Sequence, residues 1–366
     1  MKHLSKIILG TMGYGGYFKK ITSTNIKKYH KCFHTAFDHG IRSIDTAEVY
    51  ANGYCEEIIG KLDKNFKKKL YIISKFSSEN SSHKKVKLSL EKSLKRLNIE
   101  QIDLYMPHWP NPSINYDETL SSLKDLKKEG KIIDIGLSNF DKETVLKIND
   151  DNNIKYFQNE YSLAERNIEK KFLPYINKIN GRLLAYSPLQ QGRLLNLSEK
   201  TSVGKILNKY SCTLPQLLIN ILAIKKNVHP IIKSQKIYRI IENAKALNYS
   251  IEKDDIKNIK NIFKPKIIEI SIDRIIPYNV KNKNKKEFRK EYLNLKDAVN
   301  NAHKLVPGPV EVAKEIKDNN GKLSKPIKLL KLSNSNKFLL VEGRLKFWAW
   351  QIIYNNKKPI PSIITY

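Results

Sequence analysis

Four residues carry the chemistry this sequence offers: Asp45, Tyr50, Lys75 and His108. Each lies at or just after the end of a short apolar run. Asp45 closes the run in GIRSID, Tyr50 follows five residues later, Lys75 stands in YIISKFS, and His108 stands in IDLYMPHWP. If those runs are parallel strands of a barrel, their C-terminal ends open on one face and deliver the four side chains together. A phenol with a pKa of about 10 is a poor acid at neutral pH, whereas a neighbouring ammonium stabilises the phenolate; the expectation is a lowered Tyr50 pKa. Asp45 would then hold Lys75 charged and in place, and His108 would hydrogen-bond an incoming carbonyl oxygen and turn it toward Tyr50. Such a set protonates an oxygen whose carbon receives a hydride. Singly, each residue has a plainer reading, as a strand cap, an interface tyrosine, a surface lysine or a satisfied loop histidine. Their fall on consecutive strand ends is what points to chemistry.

The elements that must position them are legible between residues 7 and 267. Apolar runs at 6–10, 41–45, 70–74, 102–106, 132–136, 156–159, 183–186 and 229–232 alternate with amphipathic stretches, as strand and helix units of a parallel sheet do. The stretches predict helices over 25–38, from Glu56 onward, and over 84–97, 116–129, 142–149, 168–179, 214–223 and 237–247, with a last capped helix from Ser250 to Phe263. Asp141 before Lys142 and Gly130 after Glu129 read as a helix start and stop. Eight strands argue for closure, so the fold class is α/β, a (β/α)8 TIM barrel, with a small α+β unit behind it.

The motifs GIRSIDTAEVY with CEEIIGK, ISK and PHWP make residues 1–263 resemble the aldo-keto reductases, (β/α)8 barrels that use NADPH without a Rossmann fold. The resemblance implies that Asp45, Tyr50, Lys75 and His108 form the family's catalytic tetrad. It further implies, through GLSNF and YFQNEYS, that Ser138, Asn139 and Gln158 hydrogen-bond the nicotinamide carboxamide. Through LLAYSPLQQG it implies that Tyr186 stacks on the nicotinamide ring, with Ser187 and Leu189 along the pyrophosphate path. Through IIKSQKIYRIIENAKAL it assigns Lys233, Ser234, Arg239, Glu242 and Asn243 to the adenosine-phosphate end. A Lys, a hydroxyl and an Arg at a helix start make an anion site, and the planar Arg fork suits a 2′-phosphate, which favours NADP over NAD. No GxGxxG stretch competes for the cofactor. The resemblance also implies that substrate choice rests on the mouth loops 77–82, 109–116 and 190–200, which show no decisive set of charges or aromatics here; Trp109 is expected to wall the pocket.

After Phe263 the rhythm changes. Residues 267–276 alternate apolar and polar as one half-buried strand does, and a long Lys/Asn-rich region follows. A strand over 327–332, a hairpin partner over 337–341, a helix over 344–354 and a terminal strand over 360–365 complete a second domain, 264–366. Its segments IIEISIDRIIPY, KPIKLLKL, FLLVEGRLKFWAW and PIPSIITY resemble the ParB and sulfiredoxin-like domains. That resemblance implies a nucleotide or phosphorylated ligand at Glu342, Gly343 and Arg344, where a glycine and basic side chains open a helix. Sulfiredoxin chemistry is excluded because no Cys follows Cys212, and specific DNA binding is not expected because no helix-turn-helix has room before Tyr366. Trp348 and Trp350, two apart in one helix, are expected to face different sides, one in the core and the other toward the barrel.

The 366 residues carry 67 Lys+Arg against 36 Asp+Glu, a net charge of +31 that alone would suit a nucleic-acid or acidic partner. Lys, Ile and Asn are abundant throughout, the signature of compositional bias, but the last 103 residues carry 22 basic and 9 acidic residues, much of that excess in KNKNKK at 281–286, which reads as a solvated loop. Forty per cent apolar residues is enough for a core, no run reaches the length of a membrane span, and the N-terminus lacks a secretion signal, so a cytoplasmic protein is expected. Cys32, Cys55 and Cys212 have no metal-ligand spacing and suit a reducing compartment. The fused second domain and the basic surface point to a sugar or a phosphorylated or nucleotide-linked carbonyl as substrate, and two alternatives stay open beside its reduction: an NADPH-binding sensor whose second domain engages a nucleotide or nucleic acid, and phosphoryl transfer there with Glu342 as base.

Overall fold

The computed structural model of the protein describes residues 2–15, 23–197, 201–264, 266–277, 292, 294–303, 305, 307–332 and 335–365. The chain divides into two compact units, Met1–Phe263 and Lys264–Tyr366. In the first, the strands are β1 Ile8–Gly10, β2 Ser43–Asp45, β3 Tyr71–Phe76, β4 Ile102–Pro107, β5 Ile132–Ser138, β6 Tyr156–Glu160, β7 Arg182–Tyr186 and β8 Val228–Ile232. They pair in parallel in sequence order, and β1 closes on β8. Residues alternate between the barrel interior and the helix layer. Tyr71, Ile73, Leu104, Met106, Leu184 and Ile231 pack inside with Ile8, while Ile72, Tyr105, Phe157 and Leu183 join the larger core under the helices. That period of two decides where the site goes: Lys75 shares the parity of Tyr71 and Ile73 and therefore points into the barrel.

The helices form where caps and apolar stripes agree. The Asp141 carboxylate accepts from Thr144 N ahead of Lys142–Ile148, and Thr213 with Gln216 makes a capping box ahead of Leu214–Ala223. Expectation and structure part at three places in this unit. The helix expected over 168–179 divides into Asn167–Lys171 and Leu173–Lys178, with Pro174 starting the second part because its missing N–H suits only a first turn. The stretch after residue 244 tightens into a 3-10 turn, Lys245–Asn248. A helix at Thr201–Tyr210, following the mouth loop, was not anticipated.

The second unit is a mixed sheet in the order β10-β12-β11-β13-β9, with β9 Ile267–Ile270, β10 Ile275–Ile276, β11 Ile327–Lys331, β12 Phe338–Glu342 and β13 Ile360–Thr365. The single strand expected over 267–276 is broken by a 3-10 turn at Ile272–Arg274, entered by the Ser271 hydroxyl bonding the Asp273 carboxylate. Nor is β9 half-buried, since Ile267 is 63% exposed. The helices Leu295–Val299 and Pro309–Asp318 lie in the region read as a polar connection, and 281–286 lie outside the described residues. The expectation for the tryptophans is corrected too. Trp348 and Trp350 are both buried in this unit's own core, at 4% and 2% exposure, and Trp350 Nε1 donates to the Lys358 carbonyl at 3.1 Å. The helix Arg344–Tyr354 lies between the helix Pro309–Asp318 and the sheet and so can bury both sides, and two residues of separation does not force one outward.

Candidate active site

At the C-terminal ends of the strands the structure brings Asp45, Lys75, Tyr50 and His108 together. Asp45 is the last residue of β2, and Lys75 is the penultimate residue of β3, fully buried. Lys75 Nζ donates to Asp45 Oδ1 at 2.7 Å, to the Thr46 carbonyl at 2.8 Å and toward the Tyr50 hydroxyl at 3.5 Å. Asp45 Oδ1 also accepts from Gln158 Nε2 at 2.8 Å, reaching across the barrel. A buried ion pair is an inefficient way to stabilise a core, because each ion forfeits several kcal/mol of hydration, roughly what their attraction returns. Its presence inside a barrel otherwise packed mainly with apolar side chains is a chemical feature rather than a packing one.

Tyr50 opens a tight turn, Tyr50–Gly53, and its ring meets that of His108 edge-on at 76°, with centroids 5.5 Å apart. Lys75 Nζ lies 5.1 Å from the same ring. The expected lowering of the Tyr50 pKa does not occur. Burial, and then the Asp45 carboxylate, push it well above the ordinary value, so the phenol keeps its proton. Burial pulls the Lys75 pKa down, while Asp45 and then Glu56 pull it back up. His108, just past β4, is lowered to about 3 by burial and then by the Lys75 charge, so it stands as a neutral imidazole.

This has a consequence for acid stability. The unfolded imidazole binds a proton below pH 6.5, while the folded one refuses it down to about 3, so stability falls as pH drops through that window. His229 on β8, lowered to about 4 by burial, acts in the same sense. Urea midpoints are expected to fall between about pH 7 and pH 4, and His108→Gln to flatten the slope. An identical slope in that variant would contradict the assignment.

Behind the tetrad, Ser138 ends β5 and is buried, and Asn139 follows with φ +65°. Asn139 Nδ2 donates to the His108 carbonyl at 2.9 Å and to Ser138 Oγ at 3.1 Å, and its Oδ1 accepts from the Tyr186 hydroxyl at 2.8 Å. Gln158, on β6, and Tyr186, at the end of β7, complete this cluster. Ser187 carries φ +52° in the following loop, and Leu189 packs partly buried on the main core. After β8, Lys233 and Arg239 are exposed, whereas Ser234 and Asn243 are buried and Glu242 is half-buried. Ser234 Oγ accepts from Lys236 N at 3.0 Å, at the entry of the helix Ile237–Ala244. The Tyr14 hydroxyl donates to the Ser234 carbonyl at 2.5 Å, and Gln235 Nε2 to the Gly13 carbonyl at 2.7 Å, tying this loop to the one after β1.

In the second unit, Glu342 is exposed and ion-paired to Lys328 at 2.9 Å, Gly343 caps the helix Arg344–Tyr354 with φ +95°, and Arg344 begins it. Only glycine suits Gly343, because a Cβ there would lie 2.8 Å from Ile327 Cγ2. No group of three His, Cys, Asp or Glu that could hold a metal occurs among the described residues, and none of their helices is long and apolar enough to cross a membrane.

Sequence reasoning missed three groups around the tetrad. Thr46 supplies a carbonyl to Lys75, Glu48 Oε1 anchors the mouth loop by accepting from Ser77 N at 2.6 Å and Asn80 Nδ2 at 2.8 Å, and Glu56 lies fully buried beneath Lys75. A charged residue within an apolar helix stripe, as Glu56 is in CEEIIG, was the available signal.

The sequence model of the Aldo/keto reductase family matches residues 6–264. The chain is 32% identical over 244 residues to the glyoxal reductase of Bacillus subtilis, covering 66% of this chain and 86% of that protein. It is 29% identical over 250 residues to the methylglyoxal reductase YeaE of Escherichia coli, covering 67% and 88%. Among solved structures, a thermostable aldo-keto reductase in complex with epalrestat superposes with a TM-score of 0.66 at 33% identity, over 70% of this chain and 94% of its own. An aldo/keto reductase of Klebsiella pneumoniae in complex with NADP and acetate gives 0.65 at 27%, over 70% and 91%. With the matched residues spanning the whole closed barrel and the site at its mouth, this chain belongs to the aldo/keto reductase family.

Proposed function

We propose that the barrel reduces a small carbonyl compound to an alcohol with NADPH as reductant and Tyr50 as proton donor. The observation that carries this reading is the Asp45–Lys75–Tyr50 chain, 2.7 Å and then 3.5 Å, closed by the His108 ring at the end of a buried barrel. A carbonyl oxygen that becomes an alkoxide needs a proton. His108 is neutral and Lys75 is bound by two good acceptors, so the proton available is the one that Tyr50 retains. Lys75, charged beside Tyr50, stabilises the phenolate left behind, and His108 N–H orients the substrate oxygen.

The residues also fit the cofactor. A carboxamide needs both donors and acceptors, and Ser138 retains its hydroxyl hydrogen while Gln158, donating Nε2 to Asp45, retains its carbonyl oxygen. When bound, reduced nicotinamide supplies the hydride to the carbonyl carbon. Tyr186, fixed by Asn139, is the ring that would cover it, with Ser187 and Leu189 beside its path. The exposed cations Lys233 and Arg239, at the entry of an eight-residue helix, support NADP over NAD, with Ser234, Glu242 and Asn243 at the adenosine end. Relatives named for glyoxal and methylglyoxal reduction, and exposed Met12, Val49 and Trp109 on the loops after β1, β2 and β4, favour a small, uncharged dicarbonyl. NADPH consumption against a panel of glyoxal, methylglyoxal, sugars and phosphorylated aldehydes tests this. Turnover confined to sugars would overturn the substrate class, and turnover of none would overturn the reaction.

For the second unit, the left-handed Gly343 cap, followed by Arg344 and Lys346 on the first turn of an eleven-residue helix, supports a ParB-like phosphate or nucleotide site. Glu342, already paired with Lys328, is poorly placed to act as a base. Nucleotides added to the full chain are expected to raise the melting temperature of this unit; a flat response to the panel would dispose of the site.

A further inference from the structure

The turn that presents Tyr50 is held in an unfavourable backbone conformation. Ala51, Asn52 and Gly53 have φ of +50°, +54° and +91°, three consecutive left-handed residues of which only the last is glycine. An alanine there persists only where its surroundings leave it no alternative. Those surroundings include an ion pair whose carboxylate is fully buried and whose guanidinium is partly buried. Glu56, on the helix Tyr54–Gly60 that continues from the turn, is fully buried. Its Oε2 accepts from Arg96 Nε at 2.7 Å and pairs with Nη2 at 2.7 Å, and its Oε1 accepts from Ser74 Oγ at 2.6 Å. Arg96 Nη2 also donates to Ser93 Oγ at 3.1 Å. Arg96 comes from the end of the helix His83–Leu97, and its stem lies flat on the turn: a Cβ on Gly53 would stand 2.6 Å from Arg96 Cδ. Ser74 is the residue before Lys75 and faces the helix layer as Lys75 faces the barrel.

We infer that Arg96 and Glu56 are positioning residues for carbonyl reduction: their ion pair, partly buried at Arg96 and fully buried at Glu56, pins the left-handed turn against β3 and so sets the Tyr50 hydroxyl over Lys75. The inference rests on the reading of Tyr50 as proton donor. Two apolar side chains could fill the same space without the dehydration of two charges, but they would not clamp Gly53 from one side and Ser74 from the other.

The test uses the full-length chain with Arg96→Met, which keeps the stem and removes the fork, alone and combined with Ala51→Gly. Amide hydrogen exchange, read without substrate, is expected to speed up by about tenfold in residues 50–56 of Arg96→Met while the other strands keep their protection. Turnover is expected to fall by about tenfold or more through kcat, with the NADPH Kd within about twofold. Ala51→Gly alone is expected to change neither quantity by more than about twofold, yet to restore part of both in the Arg96→Met background, because glycine adopts the turn without the clamp. Unchanged exchange in Arg96→Met, or a loss that Ala51→Gly does not relieve, would overturn the inference. Should Arg96→Met fail to fold, Glu56→Gln, which keeps its volume and one hydrogen bond, carries the same comparison. A wild type without turnover would sink the reductase reading while the exchange comparison still decides whether the pin exists.

Discussion

Lys75→Met is expected to destabilise the barrel by about 3–5 kcal/mol and to remove carbonyl reduction altogether. The two effects have one origin. Lys75 is fully buried, and its ammonium is the counter-ion of Asp45, whose side chain is 5% exposed. Methionine fills the volume but leaves the carboxylate, among the described residues, only the Gln158 amide, at 2.8 Å. Removing one partner of a buried pair costs far more than replacing both, so Asp45→Leu combined with Lys75→Met is expected to recover much of the stability and none of the activity. The variant also changes the alkaline limb. The folded-state pKa of Lys75 lies below its unfolded value, so the unfolded chain holds the extra proton between the two and wild-type stability rises with pH through that window. Lys75→Met abolishes that rise. Chemical denaturation at neutral and alkaline pH reads both terms; a single variant as stable as the double one would contradict the account.

Tyr50→Phe separates chemistry from stability in the opposite way. The lost hydroxyl makes one long contact with Lys75, at 3.5 Å, while the ring keeps its edge-on packing against His108. The stability change is therefore expected within about 1 kcal/mol. The rate is another matter, because the phenol is the group from which the carbonyl oxygen takes its proton in this account. A fall of about 10²- to 10⁴-fold in kcat is expected, with NADPH affinity unchanged. Residual turnover within about tenfold of wild type would mean that water or another group delivers the proton.

Much of this arrangement is legible in the sequence for a physical reason. Parallel strands covered on both faces read as short continuous apolar runs, and where such a run ends in a polar residue that residue lies at the mouth. Asp45, Lys75, His108 and Ser138 all follow that rule. Illegible were features set by contacts between distant segments. The Arg96–Glu56 pair joins residues 40 apart and the Ser74 contact residues 18 apart, so although Glu56 stands out in its apolar stripe, no local pattern names its partners. The direction of the Tyr50 shift was misread because proximity of a lysine is visible in the motif, whereas burial of the phenol is a property of the closed site. In the second unit, the helix at Pro309–Asp318 was hidden by its polar flanks, although Gly308-Pro309 is a recognisable start. The turn at Ile272–Arg274 was hidden because Ser271 and Asp273, whose side chains bond to each other there, also fit the polar positions of a strand alternation.

The most direct test of the central claim is the fate of the transferred hydrogen. Methylglyoxal would be reduced by the full-length protein with NADPH carrying deuterium at the transferring position of the nicotinamide, and the alcohol analysed by mass spectrometry. The account predicts a deuterium on the carbon that bore the carbonyl, and at least about a hundredfold less labelled product from Tyr50→Phe over the same time. Unlabelled alcohol, or no alcohol from any carbonyl by protein that binds NADPH, would contradict it.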